Sequence, residues 1–103
     1  MQRLTVLALM RAQPGKSEEL GQRLMTLLES SRREAGCINY DVHRANEDTD
    51  AWCVYENWRS PQDLEAHFET PAFREFVARA PGLLAGDVDL RKYTMVSMPQ
   101  SSA

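Results

Sequence analysis

The segment CINYDVHRANEDTDAWCVYENWR, residues 37–59, decides the fold. Residues 37–45 and 51–59 both read as strands, and the NEDTD between them is rich in turn-forming residues. This pattern predicts a β-hairpin. Pairing about the turn assigns one face of the hairpin to Ile38, Tyr40, Val42, Val54, Glu56 and Trp58. The other face then carries Asn39, Asp41, His43, Cys53, Tyr55 and Asn57.

A strand and a helix are predicted before the hairpin. Residues 3–11, RLTVLALMR, are apolar at both alternations, which is typical of a strand covered on both faces. After the turn at residues 13–15, Ser17 is expected to cap a helix that ends at Gly36 in a left-handed conformation. The apolar stripe of this helix is expected to contain Leu20, Leu24, Leu27, Leu28 and Ser31.

Two helical stretches and a last strand are predicted after the hairpin. Ser60 and the proline that follows it open a helix, and Thr70-Pro71 interrupts it before a second stretch that runs to Arg79. Residues 81–82 end the helical part, and residues 87–96 alternate as a strand. The order βαββαβ in an antiparallel sheet is typical of the ferredoxin-like α+β fold.

One domain over residues 1–103 is expected, with a core at 3–96 and a flexible tail at 97–103. The first strand is expected to be central, and helices cover one side of such a sheet. Leu7 and Leu9 would then form an exposed apolar surface. A homodimer that buries this surface is the favoured interpretation, and a monomer that tolerates it is the alternative.

Composition excludes several classes of protein. The 103 residues are 43% hydrophobic and 26% charged with a net charge of −3, and no basic stripe indicates a nucleic-acid partner. No apolar run approaches the ~20 residues that span a bilayer, and no signal-peptide pattern is present, so a cytoplasmic protein is expected. Cys37 and Cys53 lie too far apart on the predicted hairpin to pair. CxxC and HExxH spacings are absent, so no metal site is predicted.

The densest group of aromatic and ionisable residues is YENWRSPQDLEAHFETPAF, residues 55–73. Leu64, His67 and Phe68 share one helix face, and packing that face on the hairpin brings His67 towards Trp58. This predicts an aromatic-walled cavity with few polar groups, which is the usual form of a small-molecule site. The candidate residues are Tyr40, Glu56, Asn57, Trp58, His67, Phe68, Phe73 and Phe76.

These candidates also have structural interpretations. Trp58 is an ordinary core residue in many folds, and a lone histidine on an apolar helix face is often a hydrogen-bonded structural residue. Glu56 could simply pair with Arg44 or Arg59.

Three short motifs indicate similarity to a known protein family. They are Gly-Cys-x-x-Tyr at residues 36–40, Glu-x-Trp at 56–58 and His-x-x-Thr-Pro at 67–71. With these motifs, residues 3–80 resemble the antibiotic biosynthesis monooxygenase family of dimeric α+β barrels, especially its quinol-monooxygenase-like members. The resemblance implies a fold and a family, and it leaves the substrate open.

Members of this family include cofactor-free oxygenases of polyketides or quinols, haem-degrading enzymes and isomerases of small signalling sugars. The haem degraders use an Asn–Trp–His triad, of which Trp58 and His67 match two members. Ala8 stands near the position of the asparagine, which argues against haem degradation.

The favoured hypothesis is a monooxygenase that oxidises a quinol or hydroxylated aromatic molecule with O2 and without metal, haem or flavin. His67 would act as the base, Trp58 would stack on the substrate ring, and Tyr40 or Asn57 would polarise a carbonyl. The remaining candidate residues would contact the substrate. One alternative is an isomerase or lyase in which His67 and Glu56 move protons on a small carbonyl compound. Another is a non-catalytic protein that binds a hydrophobic metabolite.

Overall fold

The computed structural model describes residues 3–100 and contains four strands and three helices. The strands are β1 (Leu4–Arg11), β2 (Cys37–Arg44), β3 (Ala51–Trp58) and β4 (Asp89–Tyr93). The helices are α1 (Ser17–Arg32), α2 (Pro61–Phe68) and α3 (Pro71–Arg79), and a 3-10 turn follows at Ala80–Gly82. Among residues 3–100, no helix is both long and apolar enough to cross a bilayer.

The four strands form one antiparallel sheet in the order β2-β3-β1-β4. The predicted hairpin is present, with Val42 opposite Val54. β1 pairs with β3 on one side and with β4 on the other, so its predicted central position is confirmed. The ferredoxin-like α+β fold is therefore confirmed.

β1 is apolar on both faces, and its two faces have different surroundings. Val6, Ala8 and Met10 are buried and belong to the same core as the leucines of α1. Leu7 and Leu9 alternate with them, point to the opposite face and are only half-buried. The helices therefore cover one side of the sheet, and the other side, the outer sheet face, carries Leu7 and Leu9.

Ser17 does not cap α1, which corrects the sequence prediction. Lys16 occupies the N-cap position without a side-chain hydrogen bond. The hydroxyl of Ser17 donates to the carbonyl of Thr49 and accepts from Trp52 Nε1 at 2.9 Å and Arg44 Nη2 at 3.0 Å. Ser17 therefore ties the start of α1 to the hairpin.

α1 buries the apolar stripe that its spacing predicts, namely Leu20, Leu24, Leu27, Leu28 and Ser31. Its predicted end at Gly36 is wrong, because the helix ends at Arg32 and Gly36 does not adopt a positive φ. Glycine is needed at residue 36 for another reason. A Cβ there would overlap the side chain of Asp63, which Arg59 and Ser60 hold in place by hydrogen bonds.

A β-bulge at the start of β2 corrects the predicted face of Ile38. Cys37 lies opposite Trp58, and the register then shifts before Asn39, so Ile38 is the extra residue. Ile38 is 50% exposed, whereas Tyr40 is 3% exposed. Strict alternation places both residues on one face, and the bulge separates them.

Each of the two short helices begins at a side-chain cap, α2 at the predicted Ser60 and α3 at Thr70. Ser60 Oγ accepts a hydrogen bond from the Asp63 N–H at 3.2 Å, and Thr70 Oγ1 accepts one from the Phe73 N–H at 3.2 Å. A proline follows each cap at the first helical position, where its missing N–H has no helical partner to lose. The predicted break at Thr70 is confirmed.

β4 is shorter than predicted and consists of Asp89–Tyr93 instead of residues 87–96. All five of its residues are exposed, and residues 94–100 form neither helix nor strand. The end of the predicted tail, residues 101–103, lies outside the described residues.

The two cysteines are free thiols, as predicted. Cys53 lies opposite His43 and Cys37 lies opposite Trp58, so the thiols are at different ends of the hairpin.

The Ser60 cap is expected to contribute to stability. Ser60→Ala removes the acceptor for the Asp63 N–H and should lower the free energy of unfolding by about 1 kcal/mol. Urea denaturation followed by circular dichroism measures this change. The control is Thr26→Ala on the exposed surface of α1, which should change stability by less than about 0.5 kcal/mol. Equal stability of Ser60→Ala and the parent would contradict the role of the cap.

Candidate active site

A cavity of about 680 Å³ lies on the helix-covered side of the sheet. Its walls come from β1, β2 and β3 on one side and from α1, α2 and α3 on the other. The segment between α3 and β4 completes it with Gly86, Asp87 and Val88. Six of the residues predicted from the sequence line this cavity: Tyr40, Glu56, His67, Phe68, Phe73 and Phe76.

His67 lies in the wall of the cavity on α2. Its side chain is 1% exposed, and its ring is packed among other aromatic rings. The ring centroids of Trp58, Phe73, Phe68 and Tyr40 lie 4.6, 5.1, 5.7 and 5.8 Å away. These contacts leave the imidazole little freedom to change its orientation.

The polar partner of His67 is Glu34, in the turn between α1 and β2. Glu34 Oε2 lies 2.8 Å from His67 Nδ1. Because this hydrogen bond engages Nδ1, the ring nitrogen available to a ligand in the cavity is Nε2. Glu34 was not among the residues predicted from the sequence. Two signals were available: Glu34 follows Ser31 by three residues and so continues the stripe of the predicted helix, and a histidine predicted to be buried requires a hydrogen-bond partner.

Glu56 is buried in the same wall and has no arginine partner. Trp58 Nε1 donates a hydrogen bond to Glu56 Oε1 at 2.9 Å, while Arg44 and Arg59 contact other groups. The proposed ion pair with either arginine is therefore wrong. Burial raises the pKa of the Glu56 carboxyl from 4.5 to about 7, against the opposing effect of the Trp58 hydrogen bond, and the nearby Glu34 raises it further.

Tyr40 lies beside Glu56 as its cross-strand neighbour. Burial raises the pKa of the Tyr40 hydroxyl, and the proximity of Glu56 adds to this effect. The phenol therefore stays protonated near neutral pH and can donate a hydrogen bond to a ligand.

Two predicted residues do not line the cavity. Trp58 is completely buried behind His67, where its ring packs against the imidazole at a tilt of 41°. Asn57 points to the outer sheet face, where it accepts a hydrogen bond from Thr5 Oγ1 at 2.6 Å and donates one to Asn39 Oδ1 at 2.9 Å. Adjacent residues on a strand face opposite sides, so Asn57 cannot share the cavity with Glu56.

The cavity has few charged groups. Its ionisable lining residues within the described chain are Tyr40, Glu56, His67 and Asp87, and neither lysine nor arginine lines it. The remaining walls are mainly aromatic and aliphatic. A ligand with a carboxylate or phosphate inside this cavity would meet no lysine or arginine, so the arrangement favours an uncharged, mainly apolar molecule.

Residues 3–79 match the family model described as antibiotic biosynthesis monooxygenase. The chain belongs to this family.

Several bacterial proteins are similar to this chain. The chain is 36% identical over 83 residues to "Uncharacterized protein sll1783" of Synechocystis, an alignment that covers 81% of the chain and 56% of that protein. It is also 29% identical over 83 residues to "Putative monooxygenase YcnE" of Bacillus subtilis. This alignment covers 81% of the chain and 87% of YcnE. The crystal structure of PA3566 from Pseudomonas aeruginosa has a TM-score of 0.90 and 33% identity, and covers 94% of this chain and 97% of that one.

The buried carboxyl of Glu56 should make stability depend on pH. Its folded-state pKa of about 7 lies above the value of 4.5 for an unburied glutamate, so the folded protein binds more protons than the unfolded chain between these values. The free energy of unfolding should therefore fall as the pH rises from about 4.5 to about 7, by about 3 kcal/mol for this group.

Glu56→Gln tests this effect because glutamine imitates the protonated acid at every pH. Denaturation at several pH values should show that the variant gains stability relative to the parent across this window and keeps its advantage above pH 7. Parallel pH profiles of the two proteins would show that Glu56 titrates like an exposed carboxyl.

Proposed function

We propose that the chain is a monooxygenase that oxidises a quinol or another hydroxylated aromatic molecule with O2, with His67 as the general base. The observation that supports this most is the His67 imidazole, which is buried in the cavity wall with Nδ1 bonded to Glu34 and Nε2 left for a ligand. Membership of the family and the similarity to YcnE agree with the proposal but support it only by association.

The substrate itself can supply the electrons that this reaction needs. Ground-state O2 is a triplet and reacts slowly with closed-shell molecules, but an electron-rich phenolate can transfer one electron to it. The superoxide and aryloxyl radicals that result combine to form a C–O bond. One oxygen atom stays on the ring and the other leaves as water, so a hydroquinone and O2 give a hydroxyquinone and water.

His67 Nε2 would take the phenol proton and so produce the phenolate. Tyr40 and the protonated form of Glu56 would donate hydrogen bonds to a substrate oxygen. Phe68, Phe73 and Phe76 would enclose the ring and exclude water. Trp58 would support His67 and Glu56 from behind, and this differs from the stacking on the substrate that the sequence suggested.

Substitution of His67 tests its role as the base. Glutamine can still hydrogen-bond to Glu34 but cannot accept a proton near neutral pH, so His67→Gln should lower the turnover of a quinol by at least ~10²-fold. The measurement is oxygen uptake with a panel of hydroquinones. Glu29→Gln is the control, because Glu29 is exposed on α1, away from the outer sheet face, and should be replaceable without loss of rate. Parental turnover in folded His67→Gln protein would remove His67 from the mechanism.

A second candidate function is an isomerase or lyase, which the presence of both Glu56 and His67 in one wall favours. A carboxyl with a pKa of about 7, such as that of Glu56, and an imidazole in the same wall can move a proton between neighbouring carbons of a carbonyl compound. Such a reaction consumes no oxygen. Product formation from a carbonyl compound under argon would support this function, and recovery of every ligand unchanged in air would support a binding protein.

We also propose that two copies of the chain associate through the outer sheet face. Leu7 and Leu9 of β1 lie there beside Tyr55 and Cys53 of β3, and this row of side chains lies outside the core. A second sheet laid against it would remove these apolar groups from water. The proposal agrees with the dimeric barrel that the resemblance implied.

A charge on the outer sheet face tests the dimer. Leu9→Asp would place a carboxylate in the interface, so the variant should be monomeric or aggregated by size-exclusion chromatography with light scattering. Met25→Asp is the control, because Met25 is 51% exposed on α1, away from the outer sheet face. A parent protein that is monomeric at micromolar concentration would refute the dimer.

A further inference from the structure

Glu34 connects the buried imidazole to the protein surface. It lies in the turn that follows α1, and its side chain is 18% exposed, whereas the side chain of His67 is 1% exposed. The rings that surround His67 on its other sides belong to Trp58, Tyr40 and Phe73, together with Phe68 of its own helix. Glu34 is therefore the carboxylate with a direct hydrogen bond to this histidine.

This hydrogen bond determines which nitrogen of a neutral imidazole carries the proton. Carboxylic acids are stronger acids than imidazolium, so the shared proton belongs to the ring and Nδ1 is the donor. A neutral ring with its proton on Nδ1 has its lone pair on Nε2. In the opposite tautomer, Nε2 carries the proton, and the cavity would meet a hydrogen-bond donor instead of a base.

We propose that Glu34 is the positioning residue of this site, which holds His67 as the Nδ1–H tautomer and stabilises the imidazolium that forms when Nε2 accepts a proton. The inference rests on the proposed role of His67 as the base. In the proton-transfer step the substrate O–H bond breaks and an Nε2–H bond forms, while Glu34 stays ionised. The Nε2 proton then passes to the oxygen that leaves as water, and the ring returns to its starting tautomer.

The tautomer can be measured directly, because the chain has two histidines and only His67 is buried. In protein labelled with 15N-histidine, His67 should give a protonated Nδ1 signal and an unprotonated Nε2 signal at a pH where the ring is neutral. Exposed His43 is the internal reference. Glu34→Gln should increase the fraction of His67 that is protonated on Nε2 and leave the signals of His43 unchanged.

Kinetics provide a second measurement. Glu34→Gln should reduce kcat for a quinol at least ~10-fold with little change in KM, because the lost interaction acts on the base and not on substrate contact. Glu34→Asp keeps the carboxylate and should restore part of both the tautomer signal and kcat. Glu29→Gln makes the same chemical change on the exposed surface of α1 and should behave as the parent.

The two measurements separate this inference from the proposed function. If the parent oxidises no quinol, the proposed function fails, and the nitrogen signals still decide the role of Glu34. An unchanged Nδ1–H tautomer in folded Glu34→Gln protein would overturn the inference. Parental kcat in that variant, with active parent enzyme, would overturn it as well.

Discussion

The ring of His67 packs against Trp58 at a centroid distance of 4.6 Å and a tilt of 41°, and the indole N–H of Trp58 is donated to Glu56 at 2.9 Å. One buried tryptophan at the end of β3 thus contacts two ionisable residues of the cavity wall, His67 and Glu56. Ser60, two residues after Trp58, caps α2, so the helix begins next to the strand on which its histidine packs. Glu34 completes the arrangement from the turn after α1. The site therefore depends on three separate elements, namely β3, α2 and the turn after α1, which meet at His67.

Burial of polar groups at this position opposes stability. An ionised carboxyl such as that of Glu56 is unfavourable in an apolar wall, and the raised pKa expresses this cost. A core built for stability alone would place an apolar residue there, as β1 does with Val6 directly opposite Glu56. Glu56 and His67 are exceptions to the hydrophobic pattern of the helix-covered face, and such exceptions are concentrated at functional sites. Their common position in one cavity supports a chemical role for both.

The sequence predicted the regular parts of this structure and missed the irregular ones. The hairpin follows from two strand-like segments around a turn, the buried stripe of α1 from residues spaced three and four apart, and the break at Thr70 from the proline after it. The structure confirms all three. Ile38 was misplaced because a bulge shifts the register, and alternation contains no signal for a bulge. Four cavity residues, Tyr40, Glu56, His67 and Phe68, were found because they lie on faces that the spacing predicts. Glu34 was missed because the helix was predicted to reach Gly36, whereas it ends at Arg32 and the turn that follows brings Glu34 to His67.

The central claim is that the helix-covered cavity binds a hydroxylated aromatic molecule with its hydroxyl at His67. A crystal structure of the protein with a hydroquinone, prepared without oxygen, tests this claim most directly. The account predicts electron density for the ring between Phe68, Phe73 and Phe76, with one hydroxyl at about 2.6–3.2 Å from His67 Nε2. Density for the molecule on the outer sheet face, or in the cavity with both hydroxyls directed away from His67, would contradict it.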